Sequence, residues 1–345
     1  MASLRARAPG RVNLIGDHTD YAGGLVLPMA IEWGTTVEVE RGGDRVVLGS
    51  SVEPEPAVIG LDVADPASLD PAWARYVAGV VAVLRPPAGA TGSVESSLPV
   101  GAGLSSSAAL EVAVALALGF EGTPLELALA CQQAEHRASG VPSGVMDQLA
   151  SAAGVANHAL LIDCTSLEVT PVPVPDTVEV VVVDSGARRT LAGSAYAQRR
   201  SDCEAAARLI GPLREATLAE VAALDDDVVR RRARHVVSEN QRVALFAELL
   251  RSGDLTEAGE LMAASHASLR DDMEVSTPAL DHLVAELAAT SGVYGARLTG
   301  GGFGGCVVAL AAPTSPVRGW RLHASGGAER LEWVDAASPV ATWPR

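Results

Sequence analysis

The chain has 345 residues, a formal net charge of −16 and 48% hydrophobic residues. This length predicts two domains, and the negative charge argues against nucleic acid or an anionic membrane as the main partner. All 26 basic residues are arginine. The absence of lysine excludes a Walker A phosphate site, the strand lysine of protein kinases and a Schiff-base mechanism.

The four cysteines are far apart in the sequence and show no paired spacing; they are Cys131, Cys164, Cys203 and Cys306. This pattern predicts a reduced, cytoplasmic protein without a zinc knuckle. No apolar run reaches the roughly 18 residues that span a bilayer, and the first ten residues contain no apolar signal core. We therefore expect no membrane partner, and a monomer or a weak homo-oligomer.

The first half of the chain alternates strand and helix signals. Apolar alternation predicts strands over 25–40 and 46–49, followed by an amphipathic helix over 72–84 and a short strand over 91–97. An alanine-rich helix follows the serines near residue 106. The next helix starts at a capping box formed by Thr123 and Glu126, and it ends near Gly140.

The second half begins after a proline-rich approach, which marks the best domain boundary and divides the chain into residues 1–170 and 171–345. A buried strand is predicted over 178–186. Helices are predicted over 194–210, 215–223, 226–252, 254–268 and 277–291. The run "RRRARH" at 230–235 indicates a solvated helix face.

Residues 99–109 combine Gly101 and Gly103 with three serines and the start of a helix. Glycines let backbone amides approach an anion, and the helix adds free N–H groups and its positive dipole end. Such a loop can hold phosphates without lysine, and Ser107 can offer a hydroxyl to Mg²⁺. The alternative is a tight turn capped by serine.

Two acids stand out in the segment 134–151, namely Glu135 late in a helix and Asp147 after a glycine-rich loop. A carboxylate beside metal-bound phosphate can be a Mg²⁺ ligand, and a carboxylate beside a substrate hydroxyl can act as a base. The alternative is polar decoration of helix ends. The neighbouring His136 is expected to be an exposed helix residue.

The segment "LTGGGFGGC" at 298–306 matches the pattern GxGxxG through Gly300, Gly302 and Gly305. The pattern alone would suggest a dinucleotide site and a dehydrogenase. However, it lies between two predicted strands and lacks the following helix and acidic residue of that motif. A glycine-rich hairpin that closes over a site in another domain fits this context better.

The segment "GRVNLIGDHTDYAGG" at 10–24 concentrates polar chemistry between two glycine turns. Its titratable residues include Arg11, Asp17, His18 and Asp20, with Tyr21 beside them. The segment is either a solvated loop or part of a ligand site, and its own residues do not decide between the two.

Three segments together resemble the GHMP small-molecule kinases: "PGRVNLIGDHTDYAGGLVLPMAI", "LPVGAGLSSSAALEVA" and "LTGGGFGGCVVAL". The first resembles specifically the sugar motif of the galactokinase branch, and the resemblance extends from about residue 5 to residue 312. It implies an α+β fold of two domains with the active site in the cleft between them. The last thirty residues match no motif of the family.

The resemblance also implies roles for individual residues. The sugar site would comprise Arg11, Asp17, His18, Asp20, Gly144, Asp147 and Tyr196. The ATP site would comprise Trp73, Tyr76, Gly101, Ala102, Gly103, Leu104, Ser105, Ser106 and Ser107, with Ser107 and Glu135 as Mg²⁺ ligands. One departure is Asp17, where galactokinases usually carry glutamate. Because aspartate is shorter by about one carbon–carbon bond, we expect a bridging water to restore its sugar contact.

The activity that the resemblance implies is ATP-dependent phosphorylation of D-galactose at its anomeric hydroxyl. Asp147 would take the hydroxyl proton, and Arg11 would keep that aspartate ionised and stabilise the transferring charge. Two alternatives stay open. The sugar could be arabinose, galacturonate or N-acetylgalactosamine, or the chain could be a sensor that binds sugar and ATP without turnover.

Overall fold

The computed structural model describes residues 3–99, 101–187 and 192–331, and it combines helices with mainly antiparallel sheets. This is the α+β class predicted from the sequence. Within the described ranges, no helix is both long enough and apolar enough to cross a membrane. The end of the predicted second domain, from residue 332 to residue 345, lies outside the described residues.

The first half of the chain contains eight strands and four helices in the described residues. The strands are β1 (Ser3–Asn13), β2 (Leu25–Val26), β3 (Pro28–Arg41), β4 (Arg45–Ser50), β5 (Ala57–Gly60), β6 (Ala90–Ser96), β7 (His158–Asp163) and β8 (Val169–Pro173). The helices are α1 (Ala74–Leu84), α2 (Ser106–Ala117), α3 (Pro124–Ser139) and α4 (Met146–Ala153).

The second half adds five strands and five α-helices in the described residues. The strands are β9 (Glu179–Asp184), β10 (Val293–Leu298), β11 (Cys306–Ala311), β12 (Trp320–Leu322) and β13 (Glu329–Leu331). The helices are α5 (Ala192–Ile210), α6 (Leu218–Ala222), α7 (Asp227–Ser252), α8 (Leu255–Asp271) and α9 (Pro278–Ala288).

A six-stranded sheet in the order β13-β1-β3-β6-β4-β5 forms the base of the first half. Helix α2 packs on β1 and β3, and α1, α3 and α4 pack around it. The helices cover one face of this sheet. Strand β5 shows the matching pattern, because its residues alternate between buried and exposed along the chain. The buried face joins Val37 of β3 with Val112 of α2 and Leu149 of α4 in one core.

The second half is built on a four-stranded sheet in the order β10-β11-β9-β12. Strand β11 is buried along its whole length, as its uninterrupted apolar sequence predicts. The glycine-rich loop after β10 leads directly into β11, and β10 and β11 pair as antiparallel neighbours. This strand–loop–strand arrangement was predicted from the sequence, and it differs from the strand–helix context of a dinucleotide site.

The end of the described chain returns to the first sheet. Strand β13 pairs with β1, with Leu331 opposite Arg5, and Ala324 forms a bridge with Ile31. The sequence predicted neither β12 nor β13, because three-residue strands carry too little periodic pattern to be recognised. Pro171, near the predicted domain boundary, lies inside β8, and the boundary itself stays a prediction.

Local signals predicted the ends of α3 correctly. Thr123 and Glu126 form a reciprocal capping box at its start, and Gly140 ends it with a φ of 69°. The expected solvated face at 230–235 is wrong for Arg232, Ala233 and His235, which are buried. Arg232 is only 2% exposed and pairs with Glu274 at 2.6 Å, because α7 turns this arginine toward the protein interior.

Candidate active site

A cavity of about 590 Å³ lies between the two halves of the chain. This volume is typical of a small-molecule site. Its lining includes four segments, namely the turn after β1, the serine loop before α2, the start of α4 and the glycine-rich loop after β10, together with side chains of α1, α3 and α5. The structure therefore brings the separated sequence motifs to one place.

Asp147 and Arg11 form a charge pair with two hydrogen bonds in this cavity. Arg11 donates from Nε and Nη2 to the two oxygens of Asp147, at 2.8 Å each, and its side chain is only 6% exposed. The Ser105 hydroxyl donates to Asp147 Oδ2 at 2.6 Å. A bidentate ion pair of this kind fixes the orientation of the carboxylate as well as its charge. Part of Asp147 stays open to the cavity, with 29% of its side chain exposed.

The serine loop needs unusual backbone angles. Gly101 and Gly103 both have a φ of 80°, and Ser105 has a φ of 58° just before α2 begins. Glycine accepts such angles without steric cost, whereas serine at this angle is strained. Arg11 Nη1 donates to the Gly103 carbonyl at 2.6 Å, so the guanidinium joins the loop to Asp147. Ser105 was predicted only as part of the ATP loop, but its side chain contacts Asp147.

Ser107 and Glu135 lie together where a cation was predicted. The Ser107 hydroxyl donates to Glu135 Oε1 at 3.0 Å, and Gln148 Nε2 donates to Glu135 Oε2 at 2.5 Å. Burial and the nearby charge of Asp147 raise the pKa of Glu135. Burial also raises the pKa of Glu111 well above its usual range.

The Ser107 hydroxyl and the Glu135 carboxylate fit a Mg²⁺ ion that would take its other ligands from phosphate and water. No cluster of three or more metal-binding side chains was found among the described residues, so a cage built from the protein alone is not indicated there. A cation beside Glu135 would also offset the cost of burying its charge.

Trp73 and Tyr76 line the wall of the cavity near α1. The Trp73 indole donates to the Glu55 carbonyl at 3.0 Å, which orients its ring. Burial raises the pKa of Tyr76, and the charge of Glu135 raises it further. Both aromatic residues thus line the cavity, and their contact with the adenine stays a prediction.

Asp20 lies at the opposite part of the cavity, against the loop before α4. A Cβ atom added to Gly144 would lie 1.9 Å from Asp20 Oδ2, so only glycine leaves room for this carboxylate. Burial, followed by the charge of Asp147, raises the pKa of Asp20 from 3.8 to about 7. The hydroxyl groups of a ligand would donate hydrogen bonds to this carboxyl group.

Three aromatic rings, those of His18, Tyr21 and Tyr196, form one cluster beside Asp20. Their centroids are 5.2 to 5.8 Å apart. His18 Nε2 lies 3.3 Å from the Gly301 carbonyl, and Nδ1 lies 2.9 Å from the Tyr21 hydroxyl. Since a carbonyl can only accept, Nε2 carries the proton and Tyr21 donates to Nδ1. Burial and the charge of His235 lower the pKa of His18 to about 3.

Asp17 has partners that were not predicted. Its Oδ2 accepts from Arg297 Nη2 at 2.5 Å, and its Oδ1 accepts from the Gly300 N–H at 2.9 Å. The side chain is 2% exposed. The expected sugar contact through a bridging water stays a prediction; Asp17 lines the cavity, and each carboxylate oxygen already accepts one hydrogen bond from the protein.

The glycine-rich loop supplies the contacts that the sequence did not identify. It was recognised as a hairpin over the site, but nothing in the segment indicated that Gly300 binds Asp17 or that Gly301 binds His18. Ser143, which was not selected either, donates to Glu135 at 3.4 Å. Glycine and serine carry no signal for such contacts until the tertiary structure brings their partners near.

Comparison with protein families agrees with this geometry. Residues 2–41 match the galactokinase galactose-binding signature, residues 75–155 match the GHMP kinase N-terminal domain, and residues 246–318 match the GHMP kinase C-terminal domain. The matched segments carry the turn after β1, the serine loop with α3 and α4, and the glycine-rich loop. These four parts of the cavity lining thus fall inside family-matched segments, whereas Trp73 and Tyr196, which also line the cavity, lie outside them.

Individual relatives are similar over most of the chain. The galactokinase of Homo sapiens is 49% identical over 327 residues, which is 89% of this chain and 83% of that protein. The galactokinase of Roseiflexus sp. is 47% identical over 326 residues, covering 88% of this chain and 82% of that protein.

Solved structures show the same fold. Lactococcus lactis galactokinase complexed with galactose superposes with a TM-score of 0.88 at 32% identity, covering 95% of each chain. A mevalonate kinase with a TM-score of 0.66 at 18% identity, covering 94% of this chain and 100% of the other, shares the fold alone. The chain belongs to the galactokinase family of the GHMP kinases.

Proposed function

We propose that this protein transfers the terminal phosphoryl group of ATP to the anomeric hydroxyl of D-galactose, giving galactose 1-phosphate and ADP. The observation that carries the proposal is the Asp147 carboxylate held by Arg11 and Ser105 beside the serine loop. It supports a base that faces the cavity beside a phosphate-binding loop. The relatives named galactokinase support the same substrate.

Asp147 accepts the proton of the anomeric hydroxyl as this oxygen attacks phosphorus. The bidentate contact with Arg11 orients the carboxylate and stabilises its charge until the proton arrives. The hydroxyl of Ser105 points its proton at the same carboxylate, which leaves less freedom for the base to turn away from the sugar. Positioning of this kind is the main contribution that a protein makes to phosphoryl transfer.

The serine loop and the start of α2 hold the phosphates of ATP. Free backbone N–H groups at a helix start attract anions, and the φ angles at Gly101, Gly103 and Ser105 curve the loop around them. Ser107 and Glu135 would hold Mg²⁺ beside this loop. When bound, Mg²⁺ neutralises phosphate charge and orients the transferred group.

The sugar lies between Asp147 and the aromatic cluster. Asp20 accepts hydrogen bonds from sugar hydroxyls, and Gly144 keeps the space that its carboxylate needs. The rings of Tyr196 and His18 pack beside the hexose, while Arg11 faces the reacting end of the sugar. Cys131, Cys164 and Cys203 form no disulfide, which supports our further proposal that the protein acts in the reducing cytoplasm.

The test is a coupled ADP-release assay with D-galactose, arabinose, galacturonate and N-acetylgalactosamine. We expect galactose to give the highest kcat/KM, with ADP release dependent on the sugar. The same protein carrying Asp147→Asn reports any ADP formed without base-assisted transfer. A higher kcat/KM for one of the other sugars would overturn the choice of substrate, and binding of sugar and ATP without turnover would overturn the enzyme assignment in favour of a sensor.

A further inference from the structure

Two fully buried polar side chains lie beside Glu135, and the proposed reaction uses neither of them. They are Glu111 of α2 and Gln148 of α4. Gln148 Nε2 donates to Glu135 Oε2 at 2.5 Å and to Glu111 Oε2 at 3.2 Å. The Gln148 amide therefore links carboxyl groups from two helices that pack against each other, α2 and α3.

The Gln148 amide uses both of its N–H groups on these two carboxyl groups. A glutamine amide has two N–H donors and one acceptor oxygen. Among the described residues, Gln148 Oε1 and Glu111 Oε1 are buried without a hydrogen-bond partner. Unpaired buried polar atoms cost free energy, so stability alone would favour apolar side chains of the same shape at both positions. This cost points to a role for the pair other than packing of the core.

The contact with Gln148 makes the two oxygens of Glu135 different. Oε2 accepts from Gln148, and the Ser143 hydroxyl also donates to it at 3.4 Å. Oε1 accepts from the hydroxyl of Ser107, the other side chain that is proposed to bind Mg²⁺. A donor that fixes one oxygen of a carboxylate also orients the other, and partners of this kind tune the affinity of metal sites.

Gln148 also connects the proposed cation position to the base. It follows Asp147 in the first turn of α4, and Asp147 accepts from Arg11 and Ser105. One helical turn thus carries both the base and the amide that holds Glu135. The separation between the base and the metal ligand is therefore set by a single rigid element.

We propose that Gln148 is a positioning residue, which orients the Glu135 carboxylate toward Mg²⁺ and is itself held in place by Glu111. Neither Gln148 nor Glu111 would contact the cation. Gln148 acts through Glu135, and Glu111 acts through Gln148. This inference rests on the proposed function for the role of Glu135 as a Mg²⁺ ligand.

The experiment measures the dissociation constant of Mn²⁺ from the ADP complex by electron paramagnetic resonance, which needs no turnover. We expect Gln148→Met to weaken Mn²⁺ binding by about tenfold, close to the effect of losing Glu135 itself. In a protein that carries Glu135→Ala, the same substitution should change the affinity by less than about twofold, because the residue through which Gln148 acts is gone. Equal losses in both proteins, or no loss in the native one, would overturn the proposal.

Gln198→Met is the matched control. The Gln198 amide also donates to a carboxylate, that of Asp202, but Gln198 is exposed on α5 and its partner has no proposed metal role. The control should leave the affinity for Mn²⁺ unchanged. A loss equal to that of Gln148→Met would overturn the proposal.

Two variants of Glu111 test its part and replace Gln148→Met if that protein does not fold. Glu111→Gln keeps an oxygen that can accept from the Gln148 amide, whereas Glu111→Met removes it. We expect Glu111→Met to weaken Mn²⁺ binding by about threefold, the value of one ordinary hydrogen bond, and Glu111→Gln to keep the native affinity. Equal losses for both would overturn the proposal, because Glu111 would then act through its charge. Failure of the native protein to phosphorylate galactose would overturn the proposed reaction, whereas the Mn²⁺ titrations would still decide the role of Gln148.

Discussion

The two sides of the cavity are built in different ways. At the reacting side, Arg11 and Ser105 both donate hydrogen bonds to Asp147. All three residues come from the first 150 residues of the chain. The turn after β1, in contrast, receives its hydrogen bonds from α7 and from the β10 end of the second half. The base is assembled within one half, whereas the sugar-binding turn depends on both.

This difference separates two kinds of substitution. Changes at Ser105, Glu135 or Asp147 should alter turnover or metal use and leave sugar affinity nearly intact. Changes in α7 or β10, far from the reacting atoms, should alter sugar affinity and stability through the turn. The four predictions that follow test that separation from the largest expected effect to the smallest.

Asp147→Asn should have the largest effect. The amide cannot accept the hydroxyl proton, so kcat should fall by about a hundredfold or more, the usual contribution of a positioned base. ATP and galactose affinities, measured by calorimetry, should stay close to native values. Asp163→Asn is the control, because Asp163 also pairs with an arginine, Arg214, but does not line the cavity. Near-normal turnover with Asp147→Asn would remove Asp147 from this role.

Glu135→Ala should change the metal requirement. Loss of this oxygen ligand should raise the Mg²⁺ concentration for half-maximal activity by about tenfold, the scale seen for groups around metal sites. Titration of Mn²⁺ into the ADP complex, followed by electron paramagnetic resonance, checks the binding directly. Glu126→Ala, at the other end of α3, should leave the metal requirement unchanged. A collapse of galactose affinity instead would move Glu135 to the sugar side.

Asn240→Ala tests the dependence of the sugar turn on α7. It removes the oxygen that accepts from the Leu25 N–H, which should lower the free energy of unfolding by about 1–3 kcal/mol. We also expect the KM for galactose to rise about threefold, a shift of less than 1.4 kcal/mol, with kcat nearly unchanged. The adjacent exposed Gln241→Ala should do neither. A loss of stability with no change in KM would contradict the proposed link between α7 and sugar binding.

Asp20→Asn should produce the smallest and most pH-dependent effect. The folded protein raises the pKa of Asp20 from 3.8 to about 7, so the native protein should lose stability as the pH rises between those values. An asparagine stays neutral, so the difference in stability between the native protein and Asp20→Asn should change progressively as the pH rises from about 4 to about 7. Asp163→Asn is expected to show the opposite sign, because partial burial is outweighed by the Ser166 and Thr165 N–H groups and Arg214, which lower the pKa of Asp163. If the stability of the native protein and that of Asp20→Asn changed with pH in parallel, the raised pKa of Asp20 would be contradicted.

Local patterns predicted much of the fold. The boundaries of α3 follow from Thr123, Glu126 and Gly140, which act on their own neighbours. The predicted helix over 215–223 is shorter in the structure, where Thr217 caps α6 at Leu218. Strands β12 and β13 could not be predicted, because their pairing with β9 and β1 depends on partners far away in the sequence.

The sequence by itself determined which side chains are candidates for the chemistry. Glycines, serines and carboxylates in characteristic segments predicted a phosphate loop, a base and a cation position, since each motif acts through nearby backbone. Only the tertiary structure decided how those side chains are oriented. Asp17 was expected to face the sugar and lines the cavity, and the folded chain adds Arg297 and Gly300 as its partners, from about 280 residues away. A buried charge takes the partner that the folded chain brings to it, and local sequence contains no record of that partner.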